Sequence, residues 1–170
     1  STPEKDIETA EKLISLSPDT VRIYPTITMK DTLLEKYYND KKYVPYSKET
    51  TINTCAKILK MFYDKKINVI RVGLHYSDEL VSTSVAGFYH PAFRELCESK
   101  MFLDMLVNEI KKYPQGEFSV IVGNKFISKA IGQKKANIKV LKELGYIVTF
   151  KQSDTLKDFQ FIIKERGDLC

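Results

Sequence analysis

Two short apolar runs place the strongest constraint on the fold of this chain. Val21–Tyr24 is closed by Pro25, and Asn68–Gly73 holds three β-branched residues. Roughly 40 residues with helical periodicity lie between the two runs. A strand, a long helical connection and a second strand are typical of a βαβ unit in a parallel sheet. Because two parallel strands alone make a poor sheet, we expect either further strands to complete it or the following residues to pack on it.

Helices are predicted on both sides of these strands. Either of the first two residues can cap a helix that begins near Pro3, and Asp31 or Thr32 can cap a short one. Ser47 can cap a long third helix. We expect residues 74–90 to form a loop. Apolar helical faces then continue from residue 91 to 113, with a break expected near residues 99–100.

The basic charge lies in the last third of the chain. The 170 residues carry 27 Lys+Arg and 22 Asp+Glu, a net charge of +5. Residues 1–113 hold 17 basic and 16 acidic side chains, whereas residues 114–166 hold ten and five. This asymmetry predicts a boundary near residues 113–116 and points to the final segment as the part with an anionic partner.

The final segment reads as strand, helix, helix, strand, strand, with a glycine-containing turn between the helices. That order and the stretch Ile131–Ile138 resemble the KH fold, whose GXXG loop between aliphatic residues clamps the backbone of four single-stranded nucleotides. Gly132 matches the first glycine of the loop. Lys135 stands in place of the second glycine, so a residue that permits close approach of a phosphate is exchanged for a positive charge.

Lysines surround this turn. Helical spacing puts Lys135, Lys139 and Lys142 on one face. Two interpretations are open: a surface that binds phosphates in a salt-dependent way, or a solvated lysine face of a small domain. The candidate nucleic-acid-binding residues are Lys125, Lys129, Gly132, Gln133, Lys134, Lys135, Lys139 and Lys142.

Several phrases in residues 1–113 resemble the late barrel segment of radical SAM proteins, in particular the catalytic subunit of elongator and the oxygen-independent coproporphyrinogen oxidase-like proteins. The opening residues 1–6 are similar to the loop and helix after an earlier barrel strand. The phrases that carry the resemblance are Val21–Thr26, Thr32–Leu34, Lys42–Tyr46, Ile70–Leu74 and Ala86–Leu96.

The resemblance implies an α/β to α+β chain. Residues 1–90 would be a partial parallel, TIM-like barrel segment with two strands and covering helices. Residues 91–113 would be connecting helices, and residues 114–170 a KH-like basic domain. Sites in parallel barrels lie at the carboxyl ends of strands, and this rule selects the candidate cofactor-binding residues. They are Tyr24, Thr26, Arg71 and His75.

Each of these residues also has a structural interpretation. Tyr24 fits a barrel-lip aromatic, Arg71 a structural ion pair, and His75 an exposed loop residue. His90, before Pro91, is expected to cap a helix or to form a buried hydrogen bond. None has an acid–base partner at short spacing, so no catalytic residue is assigned.

Radical SAM enzymes hold a [4Fe–4S] cluster on a CxxxCxxC motif and use it to cleave S-adenosylmethionine. The three cysteines here, Cys55, Cys97 and Cys170, are too scattered for that motif or for a disulfide framework, so no metal site is predicted and a reducing cytoplasm is expected. We therefore expect a C-terminal portion that lacks the N-terminal barrel half and is inactive alone. S-adenosylmethionine and the cluster would belong to the complete protein.

Three functions are compatible with these features. The first is the C-terminal fragment of an elongator-like radical SAM enzyme with an RNA-binding KH-like domain, and tRNA is one candidate partner. The second is a fragment of a coproporphyrinogen oxidase-like oxidoreductase. The third is a stand-alone RNA-binding module without catalysis. No apolar run is long enough for a membrane span, so no membrane partner is expected.

Overall fold

The structure is a computed structural model that describes residues 1–165 of the chain. It is a mixed α/β protein with small sheets, and it divides into two compact units. Unit 1 is Ser1–Cys97 and unit 2 is Glu98–Cys170, so the division falls inside a helix. The division of the sequence into three segments at residues 90 and 113 stays a prediction. Among the described residues, no helix combines the length and the apolar character needed to cross a membrane.

Unit 1 contains four complete helices, the beginning of a fifth helix and two small pairs of strands. The caps act as the sequence suggests: the side chains of Thr2, Thr32 and Ser47 each accept a hydrogen bond from a backbone N–H in the first turn of their helix. The elements in chain order are α1 Pro3–Ser15, β1 Thr20–Ile23, β2 Thr28–Met29, α2 Leu33–Asn39, α3 Lys48–Asp64, β3 Asn68–Val72, α4 Asp78–Thr83, β4 Ser84–Ala86 and α5 Phe93–Ile110.

Strands β1 and β3 are parallel neighbours, which confirms the predicted strand–helix–strand unit. Thr20 pairs with Asn68 and Ile23 with Val72, and a register shift lies between Val21 and Arg22. The N–H of Gly73 donates to the carbonyl of Ile23 at 2.9 Å, so the pairing continues past β3. Helices α1 and α3 pack on each other beside this pair, and the apolar residues that α3 buries are Cys55, Ala56, Leu59 and Phe62.

The prediction of a loop over residues 74–90 is wrong. Ser77 Oγ accepts from the N–H of Leu80 at 3.0 Å and begins α4, and β4 pairs with β2 as a short antiparallel ribbon. Gly87 allows this close approach, since a Cβ there would lie 2.8 Å from the carbonyl oxygen of Thr26. Elements of two to six residues complete too few periods to produce a visible pattern, so the sequence did not indicate them.

The expected break near residues 99–100 is also wrong, because α5 is continuous from Phe93 to Ile110. Ser99 is buried, and its hydroxyl and its carbonyl both accept hydrogen bonds from Asn137. A polar residue that finds buried partners does not need to turn toward solvent, so the helix has no reason to end there.

Unit 2 has the predicted order of strand, helix, helix, strand, strand after the second part of α5. Strand β5 (Gly116–Gly123) is central in a three-stranded sheet. It is parallel to β6 (Tyr146–Ser153) on one side and antiparallel to β7 (Phe161–Glu165) on the other. One face of this sheet carries the buried Phe118, Val120 and Val122 of β5. The Phe102 ring of α5 lies 5.5 Å from the ring of Phe161. The elements are β5 Gly116–Gly123, α6 Ile127–Ile131, α7 Ala136–Glu143, β6 Tyr146–Ser153 and β7 Phe161–Glu165.

Candidate functional site

The turn between α6 and α7 in unit 2, residues Gly132–Lys135, is called the basic turn below. Gly132 has φ 76° and ψ 158°, a backbone conformation that is essentially restricted to glycine. Lys134 and Lys135 are both left-handed, with φ values of 52° and 61°. The N–H of Lys135 donates to the carbonyl of Gly132 at 3.0 Å, which closes the turn. The chain thus reverses within four residues and presents both lysines at its tip.

Lys135 is the residue that the sequence resemblance would match to the second glycine of a KH loop. A non-glycine residue adopts the left-handed conformation at a cost of about 1–2 kcal/mol. The structure nevertheless keeps Lys135 left-handed, with φ 61° and ψ 31°. Lys135 therefore combines a left-handed backbone conformation, which favours glycine, with an exposed ammonium group.

Asn137, the second residue of α7, anchors the basic turn. Its side chain is 4% exposed, and its amide nitrogen donates to the Ser99 carbonyl and hydroxyl at 3.2 and 3.1 Å. The same nitrogen lies 3.1 and 3.0 Å from the carbonyls of Lys129 and Ala130 at the end of α6. One amide thus ties α5, α6 and α7 together directly behind the turn. This role was not predicted from the sequence, although a single asparagine among the apolar positions of α7 could have indicated a buried polar contact.

The lysines around the turn fall into two groups. Among residues 1–165, five of them are exposed and have no ion-pair partner: Lys125, Lys134, Lys135, Lys139 and Lys142. Gln133 is exposed as well. Lys129 differs, because its ammonium pairs with the carboxylate of Glu98 at 2.7 Å and lies 4.6 Å from the centre of the Phe126 ring. The positive charge of Lys129 is thus paired within unit 2.

A second concave surface lies in unit 1, where α1, β1 and α3 enclose a cavity of about 330 Å³. Two of the candidate cofactor-binding residues, Tyr24 and Thr26, line this cavity at the end of β1. Arg71 and His75 do not line it: Arg71 is half-buried on β3, and His75 is exposed in the loop after β3. The parallel pairing does place the ends of β1 and β3 at the same edge.

An arginine pair on the two parallel strands was not predicted. Arg22 on β1 is the register partner of Arg71 on β3, so both side chains leave the same face of the pair. Within the described chain neither guanidinium has a hydrogen-bond or ion-pair partner. Two adjacent positive charges can hold a carboxylate or phosphate bidentately. An arginine inside each apolar run was the sequence signal for this pair.

The hydroxyl of Tyr46, which also lines the cavity, donates to Asp6 Oδ2 at 2.8 Å. Burial of the phenol, together with this hydrogen bond to a carboxylate, raises the pKa of Tyr46 to about 12 from the ordinary 10.0. A pKa that is higher in the folded state stabilises the fold below pH 10 and loses that effect as the pH rises toward 12.

An alkaline absorbance titration of the wild type and of Tyr46→Phe tests this pKa. The difference between the two curves isolates one tyrosine of the ten in the chain. We expect this difference to develop with a midpoint near 12 rather than 10.0. A midpoint at the ordinary value would show that the hydroxyl does not donate to Asp6 in solution.

The described residues do not fit a [4Fe–4S] cluster. In residues 1–165 no three or more His, Cys, Asp or Glu side chains are grouped so that they could hold a metal ion. Such a cluster requires several thiolates around one centre. Only Cys55 and Cys97 lie in the described chain, and both are buried.

Comparison with known proteins adds to these observations. The chain is 25% identical over 103 residues to a tRNA uridine(34) acetyltransferase of Dehalococcoides mccartyi (strain CBDB1). The alignment covers 59% of this chain but 22% of the relative, so the chain spans about a fifth of the length of the curated protein that it matches. The family model described as the radical SAM C-terminal domain matches residues 18–102. This match covers the parallel strand pair, the arginine pair and half of the whole chain, and the chain therefore belongs to the radical SAM C-terminal domain family as the C-terminal portion of a radical SAM protein.

Proposed function

We propose that this chain is the C-terminal part of an elongator-like, RNA-modifying radical SAM enzyme, and that the basic turn of unit 2 binds the phosphate backbone of its RNA. The observation that carries the RNA-binding part is the pair of exposed, left-handed lysines on a turn that is held from behind by Asn137. The tRNA uridine(34) acetyltransferase that the chain resembles supports tRNA as the substrate class.

The anchoring makes the turn suitable for a phosphate backbone. A binding surface gains affinity when its groups are ordered before the ligand arrives, because less conformational entropy is lost on binding. Asn137 and Gly132 order the backbone of the turn, whereas the lysine side chains at its tip stay in solvent. The fold thus supplies an anchored turn with solvent-exposed cations, which suits a ligand recognised through charge.

The helix after the turn extends the same surface. Lys135, Lys139 and Lys142 lie at positions i, i+4 and i+7, so they follow one face of α7. The amino-terminal end of α7 adds its partial positive charge beside Lys135. A single strand that enters at the turn can therefore pass several cations in succession. This proposal omits Lys129, since its ammonium is paired with Glu98.

We propose that β1 and β3 of unit 1 are the final strands of a parallel barrel. The described part of β1 has β3 on one edge and no strand on the other, which leaves room for a preceding parallel strand from the N-terminal half. Tyr24, Thr26, Arg71 and His75 would then lie near the carboxyl ends of barrel strands, where sites of such folds occur. Membership of the family implies S-adenosylmethionine and a [4Fe–4S] cluster in the complete protein, with the cluster-binding cysteines outside this chain.

The coproporphyrinogen oxidase-like interpretation stays a prediction. The arginine pair of unit 1 would suit the carboxylates of a porphyrinogen as well as a phosphate. The basic turn favours RNA, because a tetrapyrrole substrate gives no reason for five exposed lysines without ion-pair partners on unit 2. The two substrates make different demands on the same chain, and RNA binding distinguishes between them.

Fluorescence anisotropy with a labelled single-stranded RNA tests the proposal. If four lysines each neutralise one phosphate, affinity should fall about 50-fold between about 50 and 200 mM KCl. A tRNA anticodon stem-loop in parallel reports on the substrate class, and a single-stranded DNA of the same sequence serves as a reference polyanion. Absence of binding at low salt, or an affinity that does not change with salt, would contradict a role of the lysines in binding RNA.

A further inference from the structure

Two cysteines far apart in the sequence meet inside unit 1. Cys55 lies in the middle of α3 and Cys97 in the second turn of α5, and they are 6% and 0% exposed. The two side chains are hydrogen-bonded to each other through their thiols, and neither is in a disulfide. The spacing of the cysteines along the chain did not indicate this pair. Its position is separate from the basic turn, which lies in unit 2.

The pair is asymmetric in its access to solvent. Cys55 lines the cavity between α1, β1 and α3, whereas Cys97 does not. A small molecule in the cavity would therefore meet Cys55 first, and Cys97 is the hydrogen-bond partner of that thiol. This is the arrangement of an attacking thiol with a resolving thiol next to it.

The hydrogen bond also favours the reactive form of Cys55, the partner that lines the cavity. The thiol of Cys97 stabilises the thiolate of Cys55 and lowers the pKa of Cys55, although burial and the negative charge of Asp6 act in the opposite direction. The thiolate is the nucleophile in thiol chemistry. Cys55 is thus the member of the pair that reacts with an electrophile.

We propose that Cys55 and Cys97 form a reversible disulfide when hydrogen peroxide enters the cavity. The sulfur of Cys55 attacks the peroxide, one oxygen is transferred to give a sulfenic acid, and one water leaves. The sulfur of Cys97 then attacks the sulfenic sulfur, so the S–S bond forms and a second water leaves. The two thiols together lose two electrons and two protons to one hydrogen peroxide.

The disulfide would join α3 to α5 across the β3 segment of unit 1. A bond that closes a loop of about 40 residues restricts the unfolded chain, which raises the midpoint of thermal unfolding by several degrees. The inference does not depend on RNA binding, because it concerns unit 1 alone. It makes the stability of the radical SAM C-terminal domain responsive to peroxide.

The test uses the full chain with the single change Cys170→Ser, which leaves only the two proposed partners. The reduced, folded protein is treated with hydrogen peroxide, the peroxide is removed with catalase, and remaining thiols are blocked with N-ethylmaleimide during unfolding. Trypsin then releases residues 49–57, which contain Cys55, and residues 95–100, which contain Cys97. We expect the two peptides to be linked, lighter than their sum by two hydrogens, and separated again by dithiothreitol.

Matched variants complete the experiment. Cys55→Ser and Cys97→Ser in the same background should give no linked peptide and no rise in the thermal midpoint on oxidation. Two results would overturn the proposal: both peptides carrying N-ethylmaleimide after peroxide treatment, or Cys55 oxidised to sulfinic acid with Cys97 unlinked. A linked peptide that forms only when peroxide is added in denaturant also rejects it, since the pairing would then not come from the fold.

Discussion

Gly132→Ala is expected to lower the free energy of unfolding of unit 2 by about 3 kcal/mol. Gly132 has φ 76° and ψ 158°, which an L-residue adopts only with strain of about 1–3 kcal/mol. An added Cβ would also lie 3.1 Å from Asn137 Cγ and from Ser99 Oγ. These are the atoms of the hydrogen-bonded anchor, so relief of the clash requires longer buried hydrogen bonds.

Hydrogen exchange of the central β5 amides measures this effect, because their slowest exchange reports the opening of unit 2. Gly116→Ala is the matched control. Its added Cβ meets only Phe118 Cε2, at 3.9 Å, and Gly116 is not among the glycines with positive φ. We expect a change of less than about 0.5 kcal/mol there. Equal effects of the two substitutions would show that the turn does not have the described geometry in solution.

The double change Lys134→Glu, Lys135→Glu is expected to weaken binding of single-stranded RNA about 30-fold at moderate salt. It removes two phosphate contacts and places two carboxylates where the backbone would pass. The slope of log K against log salt should become shallower by about 1.4, since each lost contact on a single strand contributes about 0.7. Fluorescence anisotropy over a salt series gives both quantities.

Unit 1 offers a matched control for this change. Lys41 and Lys66 are also exposed lysines with positive φ, at 59° and 58°. Lys41→Glu with Lys66→Glu therefore makes the same change in net charge on the same kind of backbone. We expect RNA affinity to fall less than about threefold, through the overall charge alone. If both double variants weaken binding equally, the basic turn is not the RNA-binding surface.

Local signals predicted much of the secondary structure. The caps at Thr2, Thr32 and Ser47 depend on a few neighbouring residues, and all three are observed. The parallel pairing of β1 with β3 followed from the length of their connection, because a long helical crossover permits it. The candidate lysines of unit 2 were visible in the same way, as a charge excess in one segment.

Residue roles that depend on distant partners were not predicted. The sequence grouped Lys129 with the other lysines, but in the structure its ammonium forms an ion pair with Glu98, thirty-one positions earlier in the chain. The anchoring role of Asn137 depends on Ser99, which lies 38 positions earlier in the chain. Both roles rest on contacts between α5 and the residues around α6 and α7, and neither helical spacing nor charge counting contains such contacts.

Composition, periodicity and capping are local properties, so the sequence alone was enough to predict the longer helices and strands, the family resemblance and the location of the basic segment. Three features were visible only in the tertiary structure: which lysines have no ion-pair partner within residues 1–165, which residue anchors the basic turn, and that Cys55 and Cys97 are hydrogen-bond partners. The physical reason is the same for all three. Burial and hydrogen bonding are set by packing between elements, and packing joins residues whose distance along the chain carries no information about their distance in space.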